Sequence, residues 1–317
     1  MQNRAAACGS PRETASPICP TEYRRLESML VETFEYAVNN REQILSKIDF
    51  KEHESTIRRA AELWTEFDPA GKAYPAKLVG IDSSWNFVPY QGFYIYAVDA
   101  VSILSDGTYL VPPSLDVSLS TLIVKSGEEY ISSPELALES IGMEYEFEQA
   151  KSCFGKADKI LVDGSVLARY YDRKRRKEGS FYETARELMK HEGILYVSKK
   201  SFSNTTLRGG LGDMFYFNRV SSRPGYSSPF VDRSGVTVSY LRLAEDAPCI
   251  KLEMPGSAGK DEIERLMGQL GDDSVGGYPY VLRLAHEKGK VSHEEMGKIA
   301  NLLGLQVEIG GRQVLGE

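Results

Sequence analysis

The segments LVGIDSSW, at Leu78–Trp85, and KILVDGSV, at Lys159–Val166, decide the reading of this chain. Each is a run of β-forming residues that reaches an aspartate and then opens onto Ser or Gly-Ser, which predicts Asp82 and Asp163 at the exits of two buried strands. A carboxylate there is costly to desolvate unless it is paired or holds a cation. Two such strands with a glutamate-rich segment between them predict a site for divalent metal.

Between the two aspartates, GFYIYAVDAVSIL (92–104) is apolar on both alternating faces and predicts a central strand. Ser105-Asp106-Gly107 marks a turn, and TYLVPPSLDV (108–117) predicts a third, antiparallel strand. The segment SPELALESIGMEYEFEQAKSCFGKA then predicts a helix with Ser133 as its cap and Pro134 in its first turn. It carries Leu136, Met143, Phe147, Ala150 and Phe154 on one face and closes at Gly155. A strand that follows a crossover helix returns parallel to its predecessor, so Ile160–Asp163 pairs in parallel. Three strands, a helix and a fourth strand, with carboxylates on the first strand, the helix and the fourth strand, is the order of an RNase H-like α/β core with a mixed sheet. Glu144 and Glu146 project to opposite flanks of the helix stripe, Glu139 also borders it, and periodicity alone does not choose among them.

The flanks are less decisive. Residues 1–20 are rich in Ala, Ser, Pro and Gly and predict a disordered tail. Residues 21–70 predict a helical arm of two helices, the second running through Ile57, Ala60, Ala61 and Trp64; the catalytic domain then spans 76–310. Beyond Asp163 come a basic, helical segment to His191, the strand GILYVSKKS, a turn at Gly209-Gly210, the strands VTVSYLRL and CIKLEMP, and a helix from Asp261 to Gly271. At 317 residues and 42% hydrophobic content the chain can bury a large core. No run approaches the roughly 20 apolar residues of a membrane span, and the N-terminus lacks a signal-peptide core, so a cytoplasmic location with no membrane partner is expected. Cys8, Cys19, Cys153 and Cys249 show no metal or disulfide spacing and are expected as free thiols. His53, His191 and His293 are expected as surface residues.

The net charge of −7 and pI near 5.4 argue against a broad basic DNA surface. Locally, Arg169–Lys177 (RYYDRKRRK) holds six basic residues against one acidic. Its position beside Asp163 makes Arg169, Arg173, Lys174, Arg175 and Arg176 candidate contacts to a DNA backbone, with Lys199 and Lys200 as candidates for the scissile phosphate. There is no GxxxxGK[ST] phosphate loop, so any ATP hydrolysis has to come from a partner.

The GIDSS and LVDGS strand ends, the MEYEFEQA helix, the lysines of YVSKKS and the segment GYPYVLRLAHE together resemble the NurA nuclease family, over about Lys77 to His293. The resemblance implies an RNase H-like fold and a DNA nuclease using Mn²⁺ or Mg²⁺, with two ions per site. It further implies 5′-to-3′ exonuclease and single-strand endonuclease activity, and a homodimer that works with the hexameric ATPase HerA in resecting DNA ends for double-strand break repair. Carried over by position, Asp82 and Asp163 match the metal-binding aspartates and His286 the C-terminal histidine. Tyr278 matches the tyrosine before that histidine, and the acidic helix residue falls within Glu144–Glu148, with Glu146 placed first and Glu144 second. In this scheme Asp82, Glu146 and Asp163 hold metal, and His286 is a further ligand or a proton donor to the leaving oxygen. Tyr278 stacks on a base or orients a phosphate. The arm contributes to a dimer or motor interface. The competing readings are a catalytically inactive docking adaptor for a DNA motor, and another RNase H-like activity such as hybrid cleavage or junction resolution.

Overall fold

The computed structural model describes residues 31–48, 53–70, 74–90, 92–121, 134–171 and 179–305. The expected tail, the first part of the arm and the Ser133 cap lie outside the described residues. Two compact units divide between Glu52 and His53. The first contains α1 (Val31–Asn39) and α2 (Arg41–Leu45), neither of which buries a residue.

In the second unit the arm expectation changes. Helix α3 (Glu54–Glu62) stops short of Trp64, and β1 (Trp64–Glu66) pairs with β7 (Gly225–Ser227) at the edge of the main sheet. Trp64 and Thr65 favour extended backbone. Gly225 admits the close pairing, since a Cβ there would sit 2.4 Å from the Thr65 carbonyl oxygen. The other elements are β2 (Leu78–Pro89), β3 (Phe93–Leu104), β4 (Ser114–Thr121), α4 (Pro134–Ser152), β5 (Lys159–Asp163), α5 (Val166–Tyr171), α6 (Gly179–Leu188), β6 (Ile194–Ser198) and α7 (Asp213–Phe217). After β7 come β8 (Phe230–Val231), β9 (Val236–Arg242), β10 (Ile250–Pro255), α8 (Lys260–Asp272), β11 (Ser274–Val275), β12 (Tyr278–Pro279), α9 (Tyr280–Lys288) and α10 (His293–Leu302).

Ten strands form one mixed sheet in the order β1-β7-β9-β10-β6-β5-β2-β3-β4, with β8 alongside β9. The β2–β3–β4 meander is antiparallel, while β5 pairs in parallel with both β2 and β6. The third strand begins later than the sequence suggests, because Pro112-Pro113 cannot donate to a ladder and only Tyr109 bridges Ile103 before them. The basic segment forms α5 and α6, with 172–178 outside the described residues.

The period-two alternation of the strands sorts the core into two layers. Val79, Ile81, Ile160, Val162 and Tyr196 face one side, where Met143, Phe147 and Ala150 of α4 cover them. Leu78, Leu161, Leu195 and Val197 face the other, under Leu266 and Leu270 of α8 and Val281 and Leu282 of α9. Leu136, expected in the α4 stripe, is 44% exposed, and Leu138 is buried in its stead. Cys153 and Cys249 are buried free thiols, as expected; Cys8 and Cys19 lie outside the described residues. His53 and His191 are structural rather than surface groups. His53 Nδ1 is 2.9 Å from the Tyr216 hydroxyl, and His191 stacks on Phe154, while His293 is exposed. Among the described residues no helix is long and apolar enough to cross a membrane.

Candidate active site

The site begins with a register. Strands β2 and β5 pair from Leu78↔Lys159 to Ile81↔Val162, so the next residues on each strand are Asp82 and Asp163, side by side where β5 ends. Asp163 is at a strand exit as expected, but Asp82 is not. It is the fifth residue of a 12-residue strand that runs on to Pro89, because beyond Ile81 β2 keeps β3 as its partner. By parity both aspartates belong to the sheet face that α9 covers, and α9 brings His286 Nδ1 to 2.9 Å from Asp82 Oδ2. Gly80 allows that helix to sit so close, since a Cβ there would fall 2.3 Å from the Val281 carbonyl oxygen.

Helix α4 approaches from the other face and places its two glutamates differently. Glu144 is exposed, whereas Glu146 is 4% exposed and points at the sheet. The Ser83 hydroxyl donates to Glu146 Oε1 at 2.6 Å, and Arg169 Nη1 lies 2.6 Å from Glu146 Oε2. Arg169 therefore does not lie on an outer basic face. It turns inward from α5, donates to the Asp163 carbonyl at 3.1 Å, and its charge is held by the buried Glu146. Gly164, with φ +111, supplies the left-handed turn that lets α5 begin directly after Asp163. Arg173, Lys174, Arg175 and Arg176 lie outside the described residues.

On the far flank, Lys199 at the end of β6 places Nζ 3.0 Å from Asp163 Oδ2 and 4.5 Å from the Tyr278 ring centre. The Tyr278 phenol is pushed up by burial and then by the charge of Asp163 beside it. Lys200 is exposed and points away into a neighbouring cavity. Ser83, Glu146, Gly164 and Arg169 line a cavity of about 410 Å³. Lys199, Tyr278, Arg283 and His286 line another of about 460 Å³.

The electrostatics show what the cluster lacks. Burial, then the charges of Asp163 and Glu146, push Asp82 up to about 6 in spite of the opposing pull of His286. A concentration of carboxylate oxygens short of positive charge suits a hard divalent ion such as Mn²⁺ or Mg²⁺. Among the described residues no three acidic, histidine or cysteine groups already surround one ion position. Each carboxylate is instead turned onto a basic side chain of the protein: Asp82 onto His286, Asp163 onto Lys199, Glu146 onto Arg169.

Sequence reading missed two acidic residues near the cluster. Asp99 faces Ser84 in the β2–β3 register, and burial pushes its carboxyl up to about 7. Its signal was an acidic residue interrupting the apolar run of β3. Glu253 of β10 is fully buried and accepts from the Ser165 hydroxyl at 2.6 Å and the Leu167 amide at 3.1 Å, tying the start of α5 to the sheet. Nothing local in CIKLEMP announces that role.

A mixed sheet with aspartates on two adjacent parallel strands and a glutamate from the helix that crosses between them is the arrangement of an RNase H-like nuclease. The NurA domain model matches residues 76–291, and the chain belongs to that family of nucleases. The DNA double-strand break repair nuclease NurA of Sulfurisphaera tokodaii is 20% identical over 88% of this chain and 96% of its own length. The probable NurA of Methanocaldococcus jannaschii is 22% identical over 94% and 95%. The crystal structure of the NurA nuclease from Sulfolobus solfataricus shares the fold with a TM-score of 0.68 at 19% identity, covering 87% of this chain and 97% of that one. A crystal structure of NurA bound to dAMP and manganese superposes with a TM-score of 0.60 at 11% identity, over 88% of this chain and 98% of that one.

Proposed function

We propose that this chain cleaves DNA with bound Mn²⁺ or Mg²⁺, as a 5′-to-3′ exonuclease with single-strand endonuclease activity. The observation that carries the reading is the pairing of Asp82 with Asp163 across the β2–β5 register, with Glu146 buried against the same cluster. The manganese and dAMP named for a relative, and the double-strand break repair named for another, point the same way.

Asp82, Asp163 and Glu146 would hold the metal, which when bound polarises the phosphate, activates water and stabilises the leaving oxyanion. Ser83 and Arg169 fix the Glu146 carboxylate. Lys199, 44% exposed at its side chain, is free to leave Asp163 for the scissile phosphate. His286, 61% exposed at its side chain, stands on the open flank of Asp82, where it can deliver a proton to the leaving oxygen or complete the ion's shell. Tyr278 supports Lys199 from below and offers its ring edge to a base. Two ions per site, homodimerisation, and a HerA-type hexameric ATPase that feeds the strand complete the proposal. What remains of the arm, the helices α1 and α2 of the first unit, would serve the dimer or motor contact.

The test is cleavage of 5′-labelled single- and double-stranded DNA with Mn²⁺, Mg²⁺ or EDTA, beside Asp82→Asn and Asp163→Asn. Metal-dependent release of short products by the wild type and none by either variant, at unchanged circular dichroism, is expected. Wild-type rates in folded Asp82→Asn would sink the assignment.

A further inference from the structure

The chain carries net charge −7, yet a nuclease must hold a polyanion close to its own carboxylates. One continuous surface feature addresses this. The cavity beside Glu146 shares Ser165 and Ala168 with a second cavity, of about 400 Å³, and the second shares Thr205 and Asp232 with a third, of about 440 Å³. Over the middle cavity stands Phe202, which is 94% exposed; an aromatic ring left in water three residues beyond Lys199 has no packing role. Lys200 lines the same cavity, and Arg208 and Arg233 line the third together with the half-exposed ring of Phe230.

Among the described residues, Lys200, Arg208 and Arg233 make no ion pair, so their charges are available. Glu139 and Glu146 line the first cavity, and Asp232, the acidic residue of the other two, is turned onto its own loop: its Oδ1 accepts from the Ser234 amide at 2.6 Å and from its hydroxyl at 2.5 Å. Lys251, which floors the middle cavity, is neutralised by buried Glu253 at 2.5 Å. Arg208 has φ +50, an unfavourable conformation for a residue with a Cβ, and its amide is held to the Asn204 carbonyl at 2.9 Å. Exposed rings alternating with unpaired cations along a groove match the needs of single-stranded nucleic acid, which presents a base face and a phosphate at each step.

We propose that these three cavities form the track for a single strand of DNA, leading from the Glu146 side of the site past Lys200 to Arg208 and Arg233, with Phe202 stacked on a base. The inference rests on the nuclease reading and extends it to the path of the substrate. It also explains how an acidic chain binds DNA without a broad basic face.

The experiment uses the full chain in EDTA and measures anisotropy of fluorescein-labelled oligothymidylate. Phe202→Ala should weaken binding by about 5- to 150-fold, the loss of one base stack. Phe202→Trp should keep the affinity, and its fluorescence should fall as oligothymidylate is added. Replacing Arg208 and Arg233 together by Gln should flatten the slope of log affinity against log salt by about 1.4, two phosphates' worth on a single strand. Mn²⁺ binding by calorimetry should match wild type in Phe202→Ala, which shows that the cluster is intact. Unchanged oligothymidylate affinity in Phe202→Ala would overturn the track. If the wild-type chain itself neither binds nor cuts a single strand, the nuclease reading falls together with the groove.

Discussion

Replacing Arg169 by Leu isolates the most informative charge in the site. The guanidinium is 13% exposed, lies 2.6 Å from a Glu146 side chain that is 5% exposed, and stands 5.7 Å from the Phe147 ring. Breaking a buried pair by removing one partner costs about 3–5 kcal/mol while the remaining charge persists. Protonation caps that cost. An ordinary glutamate of pKa about 4.3 takes up a proton at pH 7 for about 2.7 units, or about 3.7 kcal/mol, and at pH 5 for about 1 kcal/mol. Arg169→Leu should therefore lose about 3 kcal/mol of stability at pH 7 and about 1 at pH 5, some 6–12 °C and 2–4 °C in melting temperature for a unit of this size. Glu146→Gln in the same background should restore most of the loss, since the uncompensated charge is then gone. Saturating Mn²⁺ should do the same without a second substitution, by supplying the missing positive charge. Thermal melts at the two pH values, with EDTA or Mn²⁺, read all four arms. A loss that is equal at both pH values and indifferent to Glu146→Gln would refute the reasoning and leave Arg169 as a packing residue.

Asp82→Asn should raise the stability of the metal-free protein by about 1–3 kcal/mol, since it removes a carboxylate whose pKa the fold pushes up by about 2 units, while abolishing Mn²⁺ binding; urea titration and calorimetry check the two arms. In EDTA, the part of the stability that Asp82 and Asp99 contribute should be fully present below about pH 4 and lost as pH climbs through 6 and 7: the two are raised above 3.8 to about 6 and about 7, so the fold favours their protonated forms. Asp99→Asn should flatten the upper part of that decline in urea midpoints, and an unaltered profile would exclude Asp99 as its source. Gly80→Ala should destabilise by about 1–3 kcal/mol or more, because its methyl would meet the backbone of Val281 and Leu282 rather than a movable side chain. The accompanying shift of α9 should move the His286 ring resonances away from those of the wild type.

What the sequence made legible follows from how far each signal reaches along the chain. The crossover helix, the parallel return of Ile160–Asp163 and the β9–β10 pair rest on local periodicity and turn residues, and the fold contains them. Asp82 and Asp163 are legible for the same reason. Trp64–Glu66 was read as helix because three residues are too few to show a period of two, and because what makes them a strand is Gly225, some 160 positions away. The burial of Glu146 over Glu144 was also invisible, since both flank the same apolar stripe; Ser83 and Arg169, from other elements, distinguish them. Arg169 looked like the start of a basic surface run because charge patterning counts residues without knowing which way they face.

The three carboxylate contacts of the site, two ion pairs and one histidine contact, explain why its parts could not be assigned one at a time. His286 comes from α9, Lys199 from the end of β6 and Arg169 from α5, while their carboxylates come from β2, β5 and α4. Each pair therefore ties two separate elements together, and the same contacts keep mutually repelling carboxylates within one cluster. The pairs also differ in how readily they yield. His286 and Lys199 are 61% and 44% exposed and cost little to swing into water, whereas Arg169 is 13% exposed and is also bound to the Asp163 carbonyl. On the proposed reading, a divalent ion would displace His286 and Lys199 from Asp82 and Asp163 at little cost, whereas Glu146 would keep one oxygen on Arg169. Asp82 also accepts from the Ser83 amide at Oδ1, so both of its oxygens have partners, as do both oxygens of Glu146; what differs is the burial of those partners, and Arg169 is the deepest of the basic groups.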